Sequence, residues 1–189
     1  MKTLGKLMDY QIMSIDPSTV ALAYSVIDSD NRILDVGKID LSSTKSIHEK
    51  LHIITTSLPA VMNKWNVKYA VIEEAVFIQN FKTSKLISYV IGHTMGVMYQ
   101  HCKFITEANP IVWKRGIGYS KVTKAEKEQW EKEIGAKGAK KRAAFERKDR
   151  VRQILVTNLG KDFEESRYDS DEIDAIAIGV WYNGVVKAR

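Results

Sequence analysis

The sequence predicts an α/β protein in which a mixed five-stranded sheet is covered by helices. Near the N-terminus, short runs rich in Ile, Val and Tyr are separated by turn residues, which indicates strands joined by hairpins. Further along, apolar strand-like stretches alternate with stretches at helical spacing. Hairpins pair strands antiparallel and β-α-β units pair them parallel, so the predicted sheet contains both kinds of pair.

The first elements are three strands and a helix. The strands are expected at residues 10–16 (YQIMSID), 20–28 and 32–41, with the turn sequences PST and SDN between them. Apolar residues then recur at helical spacing over residues 47–65, where Pro59 is expected to kink the helix.

The later elements alternate. A fourth, continuously apolar strand is expected at 69–77, a helix at 83–101 and a fifth strand at 103–108. Three more helices are expected at residues 123–134, at 140–159 and from Asp171 onward.

Composition restricts the class of protein. The chain has 189 residues, 44% of them hydrophobic, with three prolines, and we expect one domain over residues 1–189. The only cysteine is Cys102, so an internal disulfide is impossible and a reducing compartment such as the cytoplasm is expected. No uncharged apolar run is long enough to cross a bilayer, so we expect no membrane association.

The net charge of +6 is concentrated in one segment. Residues 121–152 contain twelve Lys and Arg against six Asp and Glu, which accounts for the whole excess. A local basic patch is typical of a surface that binds nucleic acid. A solvated helical face would have the same composition, and charge alone does not separate the two interpretations.

Acidic residues stand at the ends of predicted elements. Asp16 ends the first strand, Glu73 and Glu74 follow the core of the fourth, and Asp171 and Asp174 lie on one face at the start of the last helix. If the first and fourth strands are parallel neighbours, their acids meet at one edge of the sheet. Clustered carboxylates repel one another, and divalent cations with hard oxygen ligands, Mg²⁺ or Mn²⁺, would offset that repulsion.

Three stretches, SIDPSTVALAYSVID, YAVIEEAVF and SDEIDAIAIG, resemble in order and spacing the RuvC family of Holliday-junction resolvases, over about residues 11–181. The resemblance implies a ribonuclease H-like fold and an endonuclease that nicks two opposed strands of a four-way DNA junction, leaving 5′-phosphate and 3′-hydroxyl ends. It implies two Mg²⁺ ions per active site, with Mn²⁺ as a substitute. The family's metal-binding acids match Asp16, Glu73, Asp171 and Asp174, and Asp16 resembles the ligand that bridges both ions. A slip of one residue in the alignment would select Glu74 instead of Glu73.

The same resemblance assigns substrate contacts. Lys114 in ANPIVWKRGIG and Lys148 in RKDRVRQIL match the family's active-site lysines, although both could be ordinary phosphate contacts or surface residues. Phe77 matches the aromatic residue that stacks on a base at the branch point. A core position for Phe77, with Phe81 as the stacking residue, stays open.

Two segments have separate interpretations. Ser88, Gly92 and Gly96 form a stripe of small residues that either packs on the sheet or forms a two-fold homodimer interface, as in the family. Residues 119–145 are a charged helical insertion that the resemblance does not explain; its first half is expected to be an exposed helix. Its second half provides the phosphate contacts that we expect, namely Lys137, Lys140, Lys141 and Arg142.

Several alternatives remain at the sequence level. A nuclease of the same fold could act on RNA, or on a broader range of branched DNA, although the RNA-processing relatives typically lack the long basic insertion. IDPST loosely resembles the phosphate loop of actin-like proteins and sugar kinases, but no second Gly-rich loop follows. A junction-binding protein without catalysis would not need all four acids. The resemblance fits a bacterial or a phage protein, hence the cytoplasm of a bacterial cell or of a phage-infected host.

Overall fold

The structure is a computed structural model that describes residues 10–75, 80–160 and 163–188. The strands are β1 (Gln11–Pro17), β2 (Ala21–Asp28), β3 (Ile33–Asp40), β4 (Tyr69–Glu73) and β5 (Phe104–Ala108). The helices are α1 (Ile47–Trp65), α2 (Phe81–Met98), α3 (Pro110–Gly116), α4 (Lys124–Leu159) and α5 (Ser170–Lys187), with a 3₁₀ turn at Glu165–Arg167 before α5.

The sheet has the order β3-β2-β1-β4-β5. The two hairpins pair antiparallel, whereas β1 pairs parallel with β4 and β4 with β5. The predicted mixed five-stranded sheet is therefore confirmed, as is the parallel pairing of the first and fourth strands. Ile15 pairs with Ile72, so the next residues along, Asp16 and Glu73, lie side by side near the ends of their strands.

Helices cover both faces of the sheet. Met13, Ile15 and Ile72 pack with α1 and α2 on one face. The alternate residues Ile12 and Val71 pack with α3, α4 and α5 on the other face. Because Asp16 and Glu73 have the parity of Ile12 and Val71, their side chains lie on the α5 side.

Several element boundaries differ from the sequence prediction. Strand β4 ends at Glu73 rather than at residue 77, whereas α1 has the predicted bounds, Ile47–Trp65, with Pro59 inside it. Helix α3 was not predicted: Asn109 caps it, accepting a hydrogen bond from the Ile111 amide, and Pro110 occupies its first turn. Short helices of this kind have too few turns to show a clear apolar period.

Helix α4 is folded back on itself. Gly135 has the non-helical angles φ 72° and ψ 165°, a conformation favoured by glycine, and divides α4 into arms over residues 124–134 and 136–159. Trp130 of the first arm packs against Ala139 and Ala143 of the second and is only 9% exposed. The expectation of an exposed first helix is confirmed for most of this arm, whereas Trp130 is covered by the second arm.

An ion pair joins the two arms of this helical hairpin. Arg150 pairs with Glu126 across the two arms and donates to the Ser120 carbonyl oxygen at 3.1 Å. Hydrogen bonds from the Thr123 amide and hydroxyl, together with Arg150, lower the pKa of Glu126 to about 2. These contacts hold the start of the first arm against the second arm at Arg150.

The small-residue stripe of α2 does not pack on the sheet. Ile87, Val90 and Ile91 of α2 are buried, whereas Ser88, Gly92 and Gly96 are exposed. The sheet-packing interpretation is therefore wrong.

In the part of the chain that the structure describes, none of the helices has the length and apolar character that crossing a membrane requires.

Candidate active site

The site lies at the edge of the sheet where β1 and β4 end. Across the sheet, Lys38 of β3 lies opposite Ala23 of β2, and Ala23 lies opposite Asp16. Side chains in one such row project from the same face. Lys38, Asp16 and Glu73 therefore all point toward the N-terminal end of α5.

Helix α5 brings two further acids, Asp171 and Asp174, to this edge. Asp169 is its N-cap and accepts hydrogen bonds from the amides of Asp171 and Glu172. Buried hydroxyls of Ser14 and Ser25 donate to the Ala175 carbonyl oxygen at 2.7 and 3.3 Å. These bonds fix the backbone directly after Asp174, and so fix where that carboxylate lies.

The acids repel one another. The pKa of Asp16 is raised well above its ordinary value, chiefly by burial and then by the charges of Glu73, Asp174 and Asp171, which the charge of Lys114 partly opposes. Burial also raises the pKa of Asp174, where Asp171 adds to the effect and Lys114 opposes it. Asp16, Glu73 and Asp174 thus interact electrostatically, and the charge of Asp171 acts on both Asp16 and Asp174.

Glu73 is held by a buried tryptophan. The indole nitrogen Nε1 of Trp113, a fully buried residue of α3, donates to Glu73 Oε2 at 2.8 Å. Burial raises the pKa of Glu73, and the Trp113 hydrogen bond and the Lys114 charge act against that rise. Glu74 is instead exposed, and its Oε2 accepts from Asn109 Nδ2 at 3.0 Å. The residue that faces Asp16 is therefore Glu73.

Both predicted active-site lysines reach this cluster. Lys114 Nζ lies 3.9 Å from Asp174 Oδ2 and 4.8 Å from the centre of the Trp113 ring. Lys148, on the second arm of α4, donates from Nζ to Ser170 Oγ at 2.8 Å. Positive charge therefore approaches the acids from α3 and from α4.

Sequence reasoning missed a third lysine. Lys38 Nζ lies 2.6 Å from Asp169 Oδ2 and 2.7 Å from Asp171 Oδ2. Ser170 Oγ donates to the other Asp171 oxygen, Oδ1, at 3.1 Å. Register across the β2–β3 hairpin is the signal that could have found Lys38, whereas Trp113 could have been suspected only from its place beside Lys114.

The donor set fits a hard divalent cation. All four acids offer oxygen atoms, and a bound cation would offset the repulsion that raises the pKa of Asp16. As the side chains stand, no group of three or more acidic, histidine or cysteine residues within residues 10–75, 80–160 and 163–188 is arranged to hold a metal ion. In this arrangement Lys38 and Ser170 engage Asp171, and Trp113 engages one oxygen of Glu73.

The remaining predicted contacts lie elsewhere. Phe77 falls outside the described residues, which leaves its role a prediction. Lys137, Lys140 and Lys141 are exposed on the second arm of α4. Arg142 differs from them, because its guanidinium lies 5.5 Å from the centre of the Trp130 ring and pairs with Glu146 at 3.5 Å.

Comparison with known proteins identifies the family of the chain. The family profile described as crossover junction endodeoxyribonuclease RuvC matches residues 12–135, a stretch that contains Asp16, Glu73 and Lys114. The match ends at the α4 hinge, before Lys148, Asp171 and Asp174.

Two relatives with that same description illustrate the likeness. The protein from Fusobacterium nucleatum is 28% identical over 123 residues, which cover 63% of this chain and 65% of the relative. The protein from Caldicellulosiruptor saccharolyticus is 27% identical over 121 residues, covering 61% of this chain and 73% of the relative.

Solved structures share the fold. Thermus thermophilus RuvC superposes with a TM-score of 0.68 at 14% identity, over 94% of this chain and 96% of that one. The same protein in complex with a Holliday junction substrate gives a TM-score of 0.65 at 16% identity, over 95% and 96% of the two chains. The ribonuclease H-like fold predicted from the sequence is thereby confirmed, and the chain belongs to the RuvC family of crossover junction endodeoxyribonucleases.

Proposed function

We propose that this protein is a metal-dependent endonuclease that resolves four-way DNA junctions by nicking two opposed strands. The observation that carries the proposal is the meeting of Asp16, Glu73 and Asp174 at one sheet edge, with Lys114 beside them, in a chain of the RuvC family. Nucleases of this family depend on metal ions. Hydrolysis would leave 5′-phosphate and 3′-hydroxyl ends, which a ligase can join.

The four carboxylates are the proposed metal ligands. Asp16 lies between Glu73 and the α5 acids in the electrostatic network, which suits the ligand shared by two ions. Two Mg²⁺ ions, or Mn²⁺ in their place, would supply water activation and stabilisation of the leaving 3′ oxygen when bound. The Trp113 indole orients Glu73, and the Ser14 and Ser25 hydroxyls hold the backbone next to Asp174.

Lys114 and Lys148 are proposed to act on the scissile phosphate. Each presents an ammonium group beside the α5 acids, where the phosphate would bind. A preorganised positive charge at that point stabilises charge that develops on the phosphate oxygens. Before DNA binds, Asp174 and Ser170 keep the two ammonium groups in place.

The helical hairpin of α4 is the proposed contact for a junction arm. Its second arm carries both Lys148 and the exposed Lys137, Lys140 and Lys141, so the basic surface continues from the site along one helix. These three lysines, together with Arg142, are proposed to contact phosphates without sequence preference. Arg142 also contacts the ring of Trp130.

Replacing the three lysines with Ala should flatten the salt dependence of junction binding by up to about 0.9 log units per lost contact, and an unchanged slope would exclude the hairpin as a DNA contact.

A homodimer and a base-stacking residue complete the proposal. Symmetric nicking of a symmetric junction calls for two active sites, and the exposed stripe of Ser88, Gly92 and Gly96 offers a surface for close approach of two α2 helices. Phe77 is proposed to stack on a base at the branch point. The working location would be the cytoplasm of a bacterial cell or of a phage-infected host.

Amide variants of the acids test the proposal. Asp16→Asn, Glu73→Gln, Asp171→Asn and Asp174→Asn should each abolish Mg²⁺-dependent cleavage of a four-way junction and leave junction binding intact, because they remove metal ligands rather than phosphate contacts. Glu74→Gln is the matched control and should cleave like the wild type. Cleavage retained in any of the four would exclude that residue as a ligand, and a preference for forks, duplex or RNA–DNA hybrid would favour the alternative substrates.

A further inference from the structure

Lys38 is the one active-site cation whose contacts the proposed chemistry leaves unexplained. It belongs to β3, two strands away from Asp16, and reaches the site only because it shares a row with Ala23 and Asp16. Its side chain is 27% exposed, so most of it lies against its neighbours. Its ammonium group is 2.6 Å from Asp169 and 2.7 Å from Asp171.

These contacts occupy the carboxylate of Asp171. One Asp171 oxygen accepts from Lys38, and the other accepts from Ser170, which itself accepts from Lys148. The strong charge-assisted contact is the one with Lys38. An oxygen bonded to an ammonium group cannot at the same time take a metal ion at ligand distance.

We propose that Lys38 is a positioning residue that holds Asp171 in the metal-free protein and competes with the divalent cation for that carboxylate. The proposal deepens the proposed function, since it rests on Asp171 being a metal ligand. Asp16, Glu73 and Asp174 would then form the permanent part of the site, and Asp171 would join when Lys38 releases it. The pairing with Asp169 gives Lys38 an anchor at the α5 N-cap after that release.

Mg²⁺ affinity of the DNA-free protein is the decisive readout. Isothermal titration of the full chain with Mg²⁺ should show binding that is about two- to five-fold tighter in Lys38→Met than in the wild type, the range that a partly exposed ion pair corresponds to. Lys38→Arg keeps the charge and the carboxylate contact, and should restore the wild-type affinity. Circular dichroism with EDTA present establishes that both variants are folded before titration.

Two controls separate the contact from a general change in charge. Lys64→Met removes a comparable lysine, which pairs with Asp35 at 3.0 Å on the α1 side of the sheet, and should leave Mg²⁺ affinity unchanged. Lys148→Met also removes a positive charge near the same acids. Among the described residues, the Lys148 ammonium group donates to the Ser170 hydroxyl rather than to a carboxylate. It should tighten binding less than Lys38→Met does.

The possible outcomes are distinct. Unchanged or weaker Mg²⁺ binding in Lys38→Met would overturn the role of Lys38, and so would an equal gain in Lys148→Met. If the wild type cleaves junctions with Mg²⁺ while Lys38→Met binds like the wild type, only this inference fails. A wild type that neither binds Mg²⁺ nor cleaves would overturn the proposed function together with it.

Discussion

The charged carboxylate of Asp16 lowers the stability of the folded protein. Asp16 is partly buried at the end of β1 and faces Glu73, Asp174 and Asp171, so its ionised form is less favourable in the folded protein than in the unfolded chain. Within the described residues, Lys114 is the cation whose charge lowers the pKa of Asp16. Such strain is expected where a group is placed for chemistry rather than for stability.

Asp16→Asn should therefore stabilise the metal-free protein. A carboxyl whose folded pKa is raised above its ordinary 3.8 destabilises the fold increasingly as pH rises from about 4 to that raised value, and by a constant amount above it. The wild type should lose stability over this pH range relative to Asp16→Asn. A gain of about 1 kcal/mol would raise the melting temperature by roughly 2–4 °C in a domain of this size.

Thermal unfolding in EDTA at several pH values between 4 and 8 measures this difference. Melting temperatures of the two proteins that stay equal at every pH would contradict the electrostatic description of Asp16.

Residues of the site differ in how far the sequence predicts them. Asp16 and Glu73 could be placed, because a strand end next to a parallel strand end defines their position from the chain alone. Lys38 and Trp113 could not, since one depends on register carried across β2 and the other on a short helix, α3. Both look like ordinary residues of their own elements until the neighbouring elements are in place.

At the scale of elements, the position of α5 decides the geometry of the site. Gly179 allows α5 to lie close to β1, because a Cβ atom at that residue would be 2.7 Å from Ser14 Oγ. Ser14 and Ser25 hold the Ala175 carbonyl oxygen one turn away. The side chain of Trp181 similarly contacts α3 at Gly116, where a Cβ atom would lie 2.3 Å from its ring.

Gly179→Ala should destabilise the protein and reduce cleavage, because the added methyl group would push α5, and with it Asp174, away from β1. Overpacking of this kind costs about 1–3 kcal/mol. Gly184→Ala is a matched control on the same helix: its Cβ would meet nothing within 4 Å among the described residues. Alanine in an exposed helix position should stabilise by about 0.5–1 kcal/mol.

Urea unfolding of the two variants, with cleavage rates measured in parallel, checks the prediction. Equal stability changes of the same sign would show that α5 does not depend on close approach at Gly179.

The α4 hairpin shows where prediction of elements from sequence stops. Both arms could be predicted from their helical composition, but their antiparallel packing depends on a positive φ at Gly135 and on contacts between residues far apart in the chain, such as Arg150 and Glu126. The polar surroundings of Trp130 gave no sign that the ring is covered. Local patterns predict which segments are helical, and they contain no information about which helix faces another.

At the scale of the whole molecule, the site and the proposed dimer surface belong to opposite layers. The acids lie on the α5 side of the sheet, whereas α2 covers the other face together with α1. The stripe on α2 is open: added Cβ atoms at Gly92 and Gly96 meet nothing within 4 Å in the described part of the chain. Substitution there can change an interface without disturbing the subunit.

Gly92→Leu is expected to yield folded monomers. The leucine side chain has space within one subunit, while two α2 helices could no longer approach closely. Light scattering at micromolar protein should give a monomer mass for the variant and a dimer mass for the wild type, and circular dichroism should show that the variant is folded. A wild type that is monomeric under these conditions would exclude the α2 dimer.

Strand-resolved cleavage of a four-way junction would show whether the protein is a metal-dependent junction resolvase. With each of the four strands labelled in turn and Mg²⁺ present, the expected result is nicks in two opposed strands at symmetric positions, with ends that DNA ligase reseals, and no cleavage in EDTA or in the Asp16→Asn variant. Cleavage that persists without a divalent cation, or that falls equally on junction and linear duplex, would contradict it.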